Sequence, residues 1–408
     1  MKKLAVRVSL YLNYFVFAIL LNSVGIVILK SQNNYGVDEV TASALEAFKD
    51  LPIAIVSFVI ASFLPRLGYK RSMLAGLALV TIACVVMYYG NSFNTAKLLF
   101  ATVGVSFALI KVSVYSMIGV VTQNRRQHNS LMSSIEGVFM MGIALAYFLF
   151  PAFNREENIN AWLDVYWLLA GLSLLSFLFL LFTRFDNPPE APGTNLTEDF
   201  MQMISLLTRL LILVFVISAF LFVMIEQGIM SWLPTFNDRV LKLPENVSIM
   251  MTSILAISLA VGRLLAGQLT RKVHWIWVLT ACTLLAMVLV VVVLPRTVGL
   301  EVGEIRKLSD IPFTGFAFPL IGLFIAPIYP LLNSVVLSAL PQKLHSPMTG
   351  LIVVFSALGG TLGSRFIGWL FKMAGPENAF YYTLIPMLLL LLSYFILKNL
   401  TQKNVLQT

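Results

Sequence analysis

The chain has 408 residues, 59% of them hydrophobic and only 12% charged, with a mean hydropathy of +0.88. A water-soluble domain of this size must cover its surface with polar groups, so the composition excludes a soluble globular fold and points to one solvated by lipid. The formal charge of +9 invites a nucleic-acid reading; its distribution follows membrane topology instead, and no nucleic-acid motif accompanies it.

A helix needs about 20 apolar residues to cross the hydrocarbon, and the sequence predicts twelve such spans. The first six cover residues 8–30, 43–64, 73–89, 97–121, 131–151 and 163–183. The first run is too long for a cleavable leader and lacks a small-residue cleavage site, so it is read as a span. It carries Asn22 and ends at Lys30, a residue expected to reach the outer interface. The second opens on Glu46, Lys49 and Asp50; Glu46 and Lys49, three apart, can pair locally in an outer-gate network. The fourth holds Lys111 at mid-span, too deep to escape by extending its stem to the interface, with Tyr115 one turn on. The fifth holds Glu136, within reach of Lys111 on the neighbouring helix. A polar stretch, 184–207, contains Pro188, Pro189, Pro192 and Gly193 and reads as a cytoplasmic linker. It separates an N-terminal bundle, 1–183, from a C-terminal one, 208–408.

The second six spans cover 208–231, 248–269, 275–295, 312–338, 348–371 and 380–398. The seventh carries Glu226 and Gln227, with Gly228 and Pro234 expected to loosen its outer end. The eighth carries Arg263 towards its inner end. The tenth holds Tyr329 and Asn333 beside Pro327 and Pro330, which break the backbone ladder; a bilayer tolerates this where neighbours or cavity water satisfy the freed groups. The eleventh holds Arg365 near its middle, and its Gly359, Gly360 and Gly363 read as close helix packing. Cys84 and Cys282 lie in apolar runs far apart and read as free thiols, not as a disulfide or metal pair.

Orientation follows from Lys and Arg. With both termini in the cytoplasm, most of the 28 Lys and Arg fall in cytoplasmic segments, among them Lys2, Lys3, Arg7, Lys70 and Arg71. Most acids fall outside. The expectation is an integral protein of a bacterial inner membrane, and a monomer.

Six spans, a linker and six spans suggest a two-fold repeat. The loop after helix 2 reads Ala61-Ser-Phe-Leu-Pro65-Arg66-Leu-Gly68-Tyr-Lys70-Arg71, and the loop after helix 8 reads Gly267-Gln-Leu269-Thr-Arg271-Lys272. Both resemble the Gly-x-Leu-x-Asp-Arg-x-Gly-Arg-Arg signature of the major facilitator superfamily. The resemblance implies an all-α fold of two pseudo-symmetric six-helix bundles. It also implies a cytoplasmic gate built from Arg66, Lys70, Arg71 and Arg271, with Arg263 close by. The signature's acid is missing from both loops, where Pro65 and Arg271 stand. Within the superfamily the chain is most similar to the fucose–galactose–hexose proton symporters. Ile328-Tyr329-Pro330-Leu331-Leu332-Asn333-Ser334 carries that likeness, as do Gly359-Gly360 with Gly368, and Glu226-Gln227-Gly228 with Trp232-Leu233-Pro234. The chain departs from that group in helix 1, where Asn22-Ser23 replaces Asn-Asp, and in helix 4, where Lys111 stands near the group's carboxylate.

An ionised group inside a bilayer costs from about 3 to more than 10 kcal/mol, so it usually faces a cavity or a partner. Lys111 is therefore read as a cavity ammonium for an anionic group, or else as a structural pair with an acid. Glu226 is read as the proton-coupling acid, with Glu136 as a second candidate, because an apolar setting raises a carboxylate's affinity for protons. Arg365 is read as an anion clamp or as the partner of Glu226. Asn22, Tyr115, Gln227, Tyr329 and Asn333 complete the candidate solute site. No catalytic constellation and no phosphate-cradling glycine loop occurs. The chain thus reads as no enzyme, with no cofactor or metal, its partners being a small solute, protons and the bilayer. The deep cations outweigh the deep acids, which favours a small anion such as a sugar acid, an organic carboxylate or a carboxylate siderophore, taken up by alternating access with protons. The rivals are a neutral hexose symporter, an efflux carrier, and a receptor or scaffold that moves nothing.

Overall fold

The computed structural model describes residues 2–122, 124–155, 157–184, 196–270, 272–297, 311–338, 340 and 344–405. Its contacts divide the chain into two units, Met1–Val37 with Ala44–Leu196, and Asp38–Ser43 with Thr197–Thr408.

In the first unit, α1 (Lys2–Asn22) and α2 (Val24–Tyr35) form one span. The ladder continues across Ser23, which bonds back to Ile19 at 3.1 Å and accepts from Val27 at 2.9 Å. Gly36 ends the span in the left-handed region, at φ 64°, where only a residue without Cβ sits without strain. The short turn α3 (Glu39–Ala42) follows in the chain but belongs to the second unit. Then come α4 (Ala44–Leu67), α5 (Tyr69–Gly90), α6 (Phe93–Val121), α7 (Arg125–Ala152) and α8 (Val165–Phe182). Ser92 and Thr95 form a reciprocal capping box that starts α6, and the Asn124 side chain caps α7 by accepting from the Gln127 amide at 2.9 Å.

The second unit begins with α9 (Leu196–Leu206). Its spans are α10 (Leu210–Arg239), α11 (Glu245–Leu269), α12 (Trp275–Thr297), a broken tenth span, α16 (His345–Met373), and a last one formed by α17 (Pro376–Ala379) running into α18 (Leu384–Val405). The tenth span is assembled from α13 (Phe313–Ala317), a 3-10 turn, α14 (Ile321–Ile325) and α15 (Ile328–Ser338). The break between α14 and α15 falls at Ala326–Pro327, as expected for a proline that lacks an N–H. Pro234, by contrast, lies inside an unbroken α10, so the expected loosening of its outer end does not occur.

Eleven spans are long and apolar enough to cross a membrane among the described residues; α4 is the twelfth helix, and its side chains from 61 to 67 lie outside those described. The two halves share one packing scheme. α1 packs on α7, α6 and α8 while α10 packs on α16 and α18; α4 packs on α6 as α11 packs on α14; α5 packs on α8 as α12 packs on α18. The third and sixth helices of each half, α5, α8, α12 and α18, present apolar side chains outward, including Ile82, Leu175, Val288 and Leu392. A surface so apolar is stable against lipid and not against water. Glycines set the closest approach: a Cβ at Gly359 of α16 would stand 2.5 Å from the Phe220 carbonyl oxygen of α10. Cys84 is buried and Cys282 half-buried, both as free thiols.

Candidate functional site

In the first unit the charged centre is built by α1, α6 and α7. Lys111 of α6 is half-buried, and its Nζ lies 5.8 Å from the centre of the Phe107 ring one turn earlier. Among the described residues no ion pair engages Lys111; the acid whose charge acts on it is Glu136 of α7. Glu136 is held by the Tyr115 hydroxyl, which donates to Oε1 at 2.6 Å. The expected direct Lys111–Glu136 pair is thus replaced by a tyrosine–carboxylate bond beside a cation. Aromatic rings wall this centre: Tyr14 of α1 stands 6.0 Å from both Phe107 and Tyr115 and 5.6 Å from Phe139, and Phe107 lies 6.0 Å from Phe139. The ammonium thus faces the Phe107 ring, around which the other rings pack, and low-dielectric surroundings of this kind strengthen its pull on an incoming anion. Asn22, also in α1, donates its side-chain amide to the Ala18 carbonyl at 2.9 Å and so turns back on its own helix.

In the second unit Glu226 of α10 is buried and receives Arg263 Nη2 of α11 at 3.1 Å. The partner of Glu226 is therefore Arg263, placed by sequence near a gate, and not Arg365. Arg365 is exposed on α16, between Leu362 and Trp369 on the same exposed face. Tyr329 of α15 stacks on Phe222 with ring centres 5.6 Å apart, and its hydroxyl is 3.1 Å from the Ser356 hydroxyl. One turn on, the Asn333 amide oxygen is buried with no hydrogen-bond partner among the described residues. Gln227 is half-buried. Phe222, Tyr329, Ser356 and Asn333 thus pair a flat apolar face with polar atoms, a combination suited to a ring that carries hydroxyls.

The residues expected to form a gate are described only in part. Lys70 gives its ammonium to the Leu181 and Thr183 carbonyls, at 2.9 and 2.7 Å, closing the C-terminal end of α8. Arg71 is exposed. The Arg66 side chain and Arg271 lie outside the described residues. At the opposite end of the spans, Glu46 and Lys49 are bonded and buried, with Asp50 Oδ1 at 3.5 Å from Lys49 Nζ. Lys30 does not reach an interface: it is buried, bonds Asn154 Oδ1 at 2.9 Å and lies 5.8 Å from the Trp162 ring centre.

Sequence reasoning missed the ion pair between Asp38 and Lys372. Asp38 caps α3 by accepting from the Thr41 amide at 3.0 Å, and its other oxygen takes Lys372 Nζ of α16 at 2.7 Å. The Lys372 ammonium, then the Thr41 bond, hold its carboxyl down at about 2. The two residues are 334 positions apart, and nothing in the local pattern of either announces the other. Tyr14 was missed for a related reason, because only the register of α1 against α6 and α7 brings it to Tyr115.

A family model described as Major Facilitator Superfamily matches residues 10–364. The fold is similar to that of a bacterial homologue of the human lysosomal transporter Spinster, in an inward-facing and unoccupied conformation: TM-score 0.76, 13% identity, covering 98% of this chain and 97% of that one. It is also similar to the nucleoside transporter NupG, with TM-score 0.74, 14% identity and coverage of 97% and 98%. A third likeness is to a variant of the Escherichia coli fucose:proton symporter FucP, with TM-score 0.63, 14% identity and coverage of 97% and 99%. No curated protein sequence matches the chain.

Proposed function

The chain belongs to the major facilitator superfamily and is an integral membrane secondary transporter, and within that class we propose that it carries a small polar anion with protons. The observation that carries the proposal is Lys111: an ammonium in mid-helix, walled by aromatic rings, with no ion pair among the described residues. A desolvated cation of this kind gains most from a solute that brings its own carboxylate or phosphate. Tyr115 holds Glu136 close enough for its charge to be felt by Lys111. The arrival of an anion changes the field at Glu136, which couples solute occupancy to its protonation. Glu226, paired with Arg263, is the second coupling acid. Uptake is the direction proposed, by alternating access with both termini in the cytoplasm.

The test is counterflow in proteoliposomes with a panel of radiolabelled sugar acids and di- and tricarboxylates, at set proton gradients. An identified anion accumulated by wild type and lost in Lys111→Gln supports the reading. Equal accumulation by Lys111→Gln overturns it.

A neutral solute is favoured by one feature, the Phe222–Tyr329 stack with Ser356 and Asn333. A neutral sugar or nucleoside, the solutes carried by the fucose symporter and the nucleoside transporter of similar fold, would lie flat on that stack. Uptake of uncharged sugars or nucleosides that is insensitive to Lys111→Gln but abolished by Tyr329→Ala would establish this second reading in place of the first.

A further inference from the structure

Beside the Lys111 centre the first unit holds a cavity of about 250 Å³ that the transport reading does not use. It is lined by Arg7 and Tyr11 of α1 and by Gln127, Ser130, Leu131 and Ser134 of α7. Three observations give it one chemistry. Arg7 is half-buried with Nε fully covered, and neither Nε nor the rest of the guanidinium has a hydrogen-bond or ion-pair partner among the described residues. A covered guanidinium nitrogen without an acceptor is costly, and it is satisfied by an oxyanion. The facing wall is the side of the first three turns of α7, whose helix begins at Arg125, and among the described residues no acidic side chain lines the cavity to compete with an anion for Arg7. Tyr11 and Ser130 supply hydroxyl groups at the rim, while the Ser134 hydroxyl donates to the Ser130 carbonyl at 2.8 Å.

We infer that this cavity is an oxyanion-binding site, distinct from Lys111, that takes a phosphate or carboxylate group between the N-terminal end of α1 and the first turns of α7. Its size is below the roughly 300–1,000 Å³ of pockets for drug-sized ligands, which suits a small anion or a single headgroup. Arg7, Tyr11 and Tyr14 lie on one stripe of α1. The stripe leads from the cavity to the rings around Lys111 over seven residues, about 10 Å at 1.5 Å per residue. The site thus stands beside any route to Lys111 along this face of α1. The same oxyanion chemistry is offered by a free anion and by the phosphate of a lipid headgroup.

The experiment measures both sources on the purified full-length protein. Thermal unfolding is followed against inorganic phosphate for wild type, Arg7→Gln, Arg7→Lys, Ser134→Leu and Lys111→Gln. Native mass spectrometry then follows retention of added phosphatidylglycerol by the same variants. A free-anion site predicts a phosphate-dependent rise in Tm that is weakened at least about tenfold in apparent Kd by Arg7→Gln, partly kept by Arg7→Lys and unchanged in Lys111→Gln. A lipid site predicts phosphatidylglycerol adducts lost in Arg7→Gln and in Ser134→Leu, which fills the cavity from its exposed rim without touching Arg7. If Arg7→Gln does not fold, Ser134→Leu carries the test alone. Phosphate and lipid binding that both survive Ser134→Leu and Arg7→Gln, or a phosphate effect lost only in Lys111→Gln, overturns the inference. The last outcome would leave the anion reading of Lys111 standing.

Discussion

The two partners of the Glu226–Arg263 pair should not be equally costly to remove. At 3.1 Å and an effective dielectric of about 20, Coulomb attraction is about 5 kcal/mol before desolvation is subtracted. The side chains differ in exposure: that of Arg263 is 38% exposed, that of Glu226 10%. Glu226→Gln leaves the more exposed partner, which keeps a neutral amide to bond to, so the loss should be the smaller one, about 1–3 kcal/mol. Arg263→Met leaves a carboxylate buried between α10 and α11 with its counter-ion gone, and the loss approaches the about 3–5 kcal/mol of a broken buried pair. Neutralising that carboxyl removes the buried charge, so the deficit of Arg263→Met should shrink as pH falls. The double variant, Glu226→Gln with Arg263→Met, should recover most of the loss. Tryptophan-detected unfolding of the purified protein between pH 5 and 8 reads all four states in one cycle. The reasoning is refuted if Glu226→Gln is the worse single variant, or if the double variant is no better than Arg263→Met.

Three further outcomes follow from the same geometry. Tyr115→Phe removes the hydrogen bond of 2.6 Å to Glu136; a bond to a charged acceptor is worth about 1.5–3 kcal/mol of stability, so Tm should fall and the pH–rate profile of transport should shift, and an unchanged pH–rate profile would remove Tyr115 from the coupling. Gly359→Val drives a side chain into the Phe220 backbone and should lower Tm sharply, whereas Gly171→Ala in α8, where an added Cβ meets nothing within 4 Å, should be neutral or slightly stabilising; fluorescence-detected size exclusion after heating compares the two. Asp38, held at about 2, lies below the ordinary carboxylate value of about 3.9. The pair with Lys372 therefore contributes fully above that ordinary value and is lost as pH falls from there towards about 2. Asp38→Asn should consequently alter transport by the same factor at every pH from 5 to 8, and a shifted pH optimum would contradict this assignment.

The spans were legible because lipid imposes a simple rule. Long apolar runs need no register to be recognised, and each of the twelve predicted spans coincides with a helix or, at the tenth, with a broken one; its break falls at Pro327, whereas Pro330, also expected to break it, lies inside α15. Pairing between helices was not legible. Both α11 and α16 pack on α10, and each brings one arginine. Which of Arg263 and Arg365 meets Glu226 depends on the rotation of each helix about its axis, and an apolar run with little amphipathic pattern does not encode that rotation. Lys70 illustrates a second limit. Its basic neighbourhood resembles a gate motif, yet its ammonium finds the unsatisfied carbonyls at the end of α8, a demand invisible until α5 and α8 are packed side by side. A pair within one helix, Glu46 with Lys49, was legible from its spacing, whereas the partner of Glu226 on another helix was not.

That distinction bears on how the two halves divide the work. Glu226 has a counter-ion in place, so an approaching solute must compete with Arg263 for it. Lys111 has none among the described residues, and its half-buried ammonium lies beside the Phe107 ring. A solute carboxylate that reaches Lys111 therefore gains Coulomb energy without first breaking a protein ion pair, whereas a neutral analogue of the same shape leaves the ammonium as it was. The difference between such a pair of solutes is that of a charged against an uncharged hydrogen-bonding partner, about 1.5–3 kcal/mol or roughly 10- to 150-fold in affinity. It should be concentrated at Lys111 and nearly absent at the Glu226–Arg263 pair. Selectivity for anions measured in Lys111→Gln and Arg263→Gln, each against a matched acid and amide, assigns that discrimination to one half or the other; a loss confined to Arg263→Gln would reverse the assignment made here.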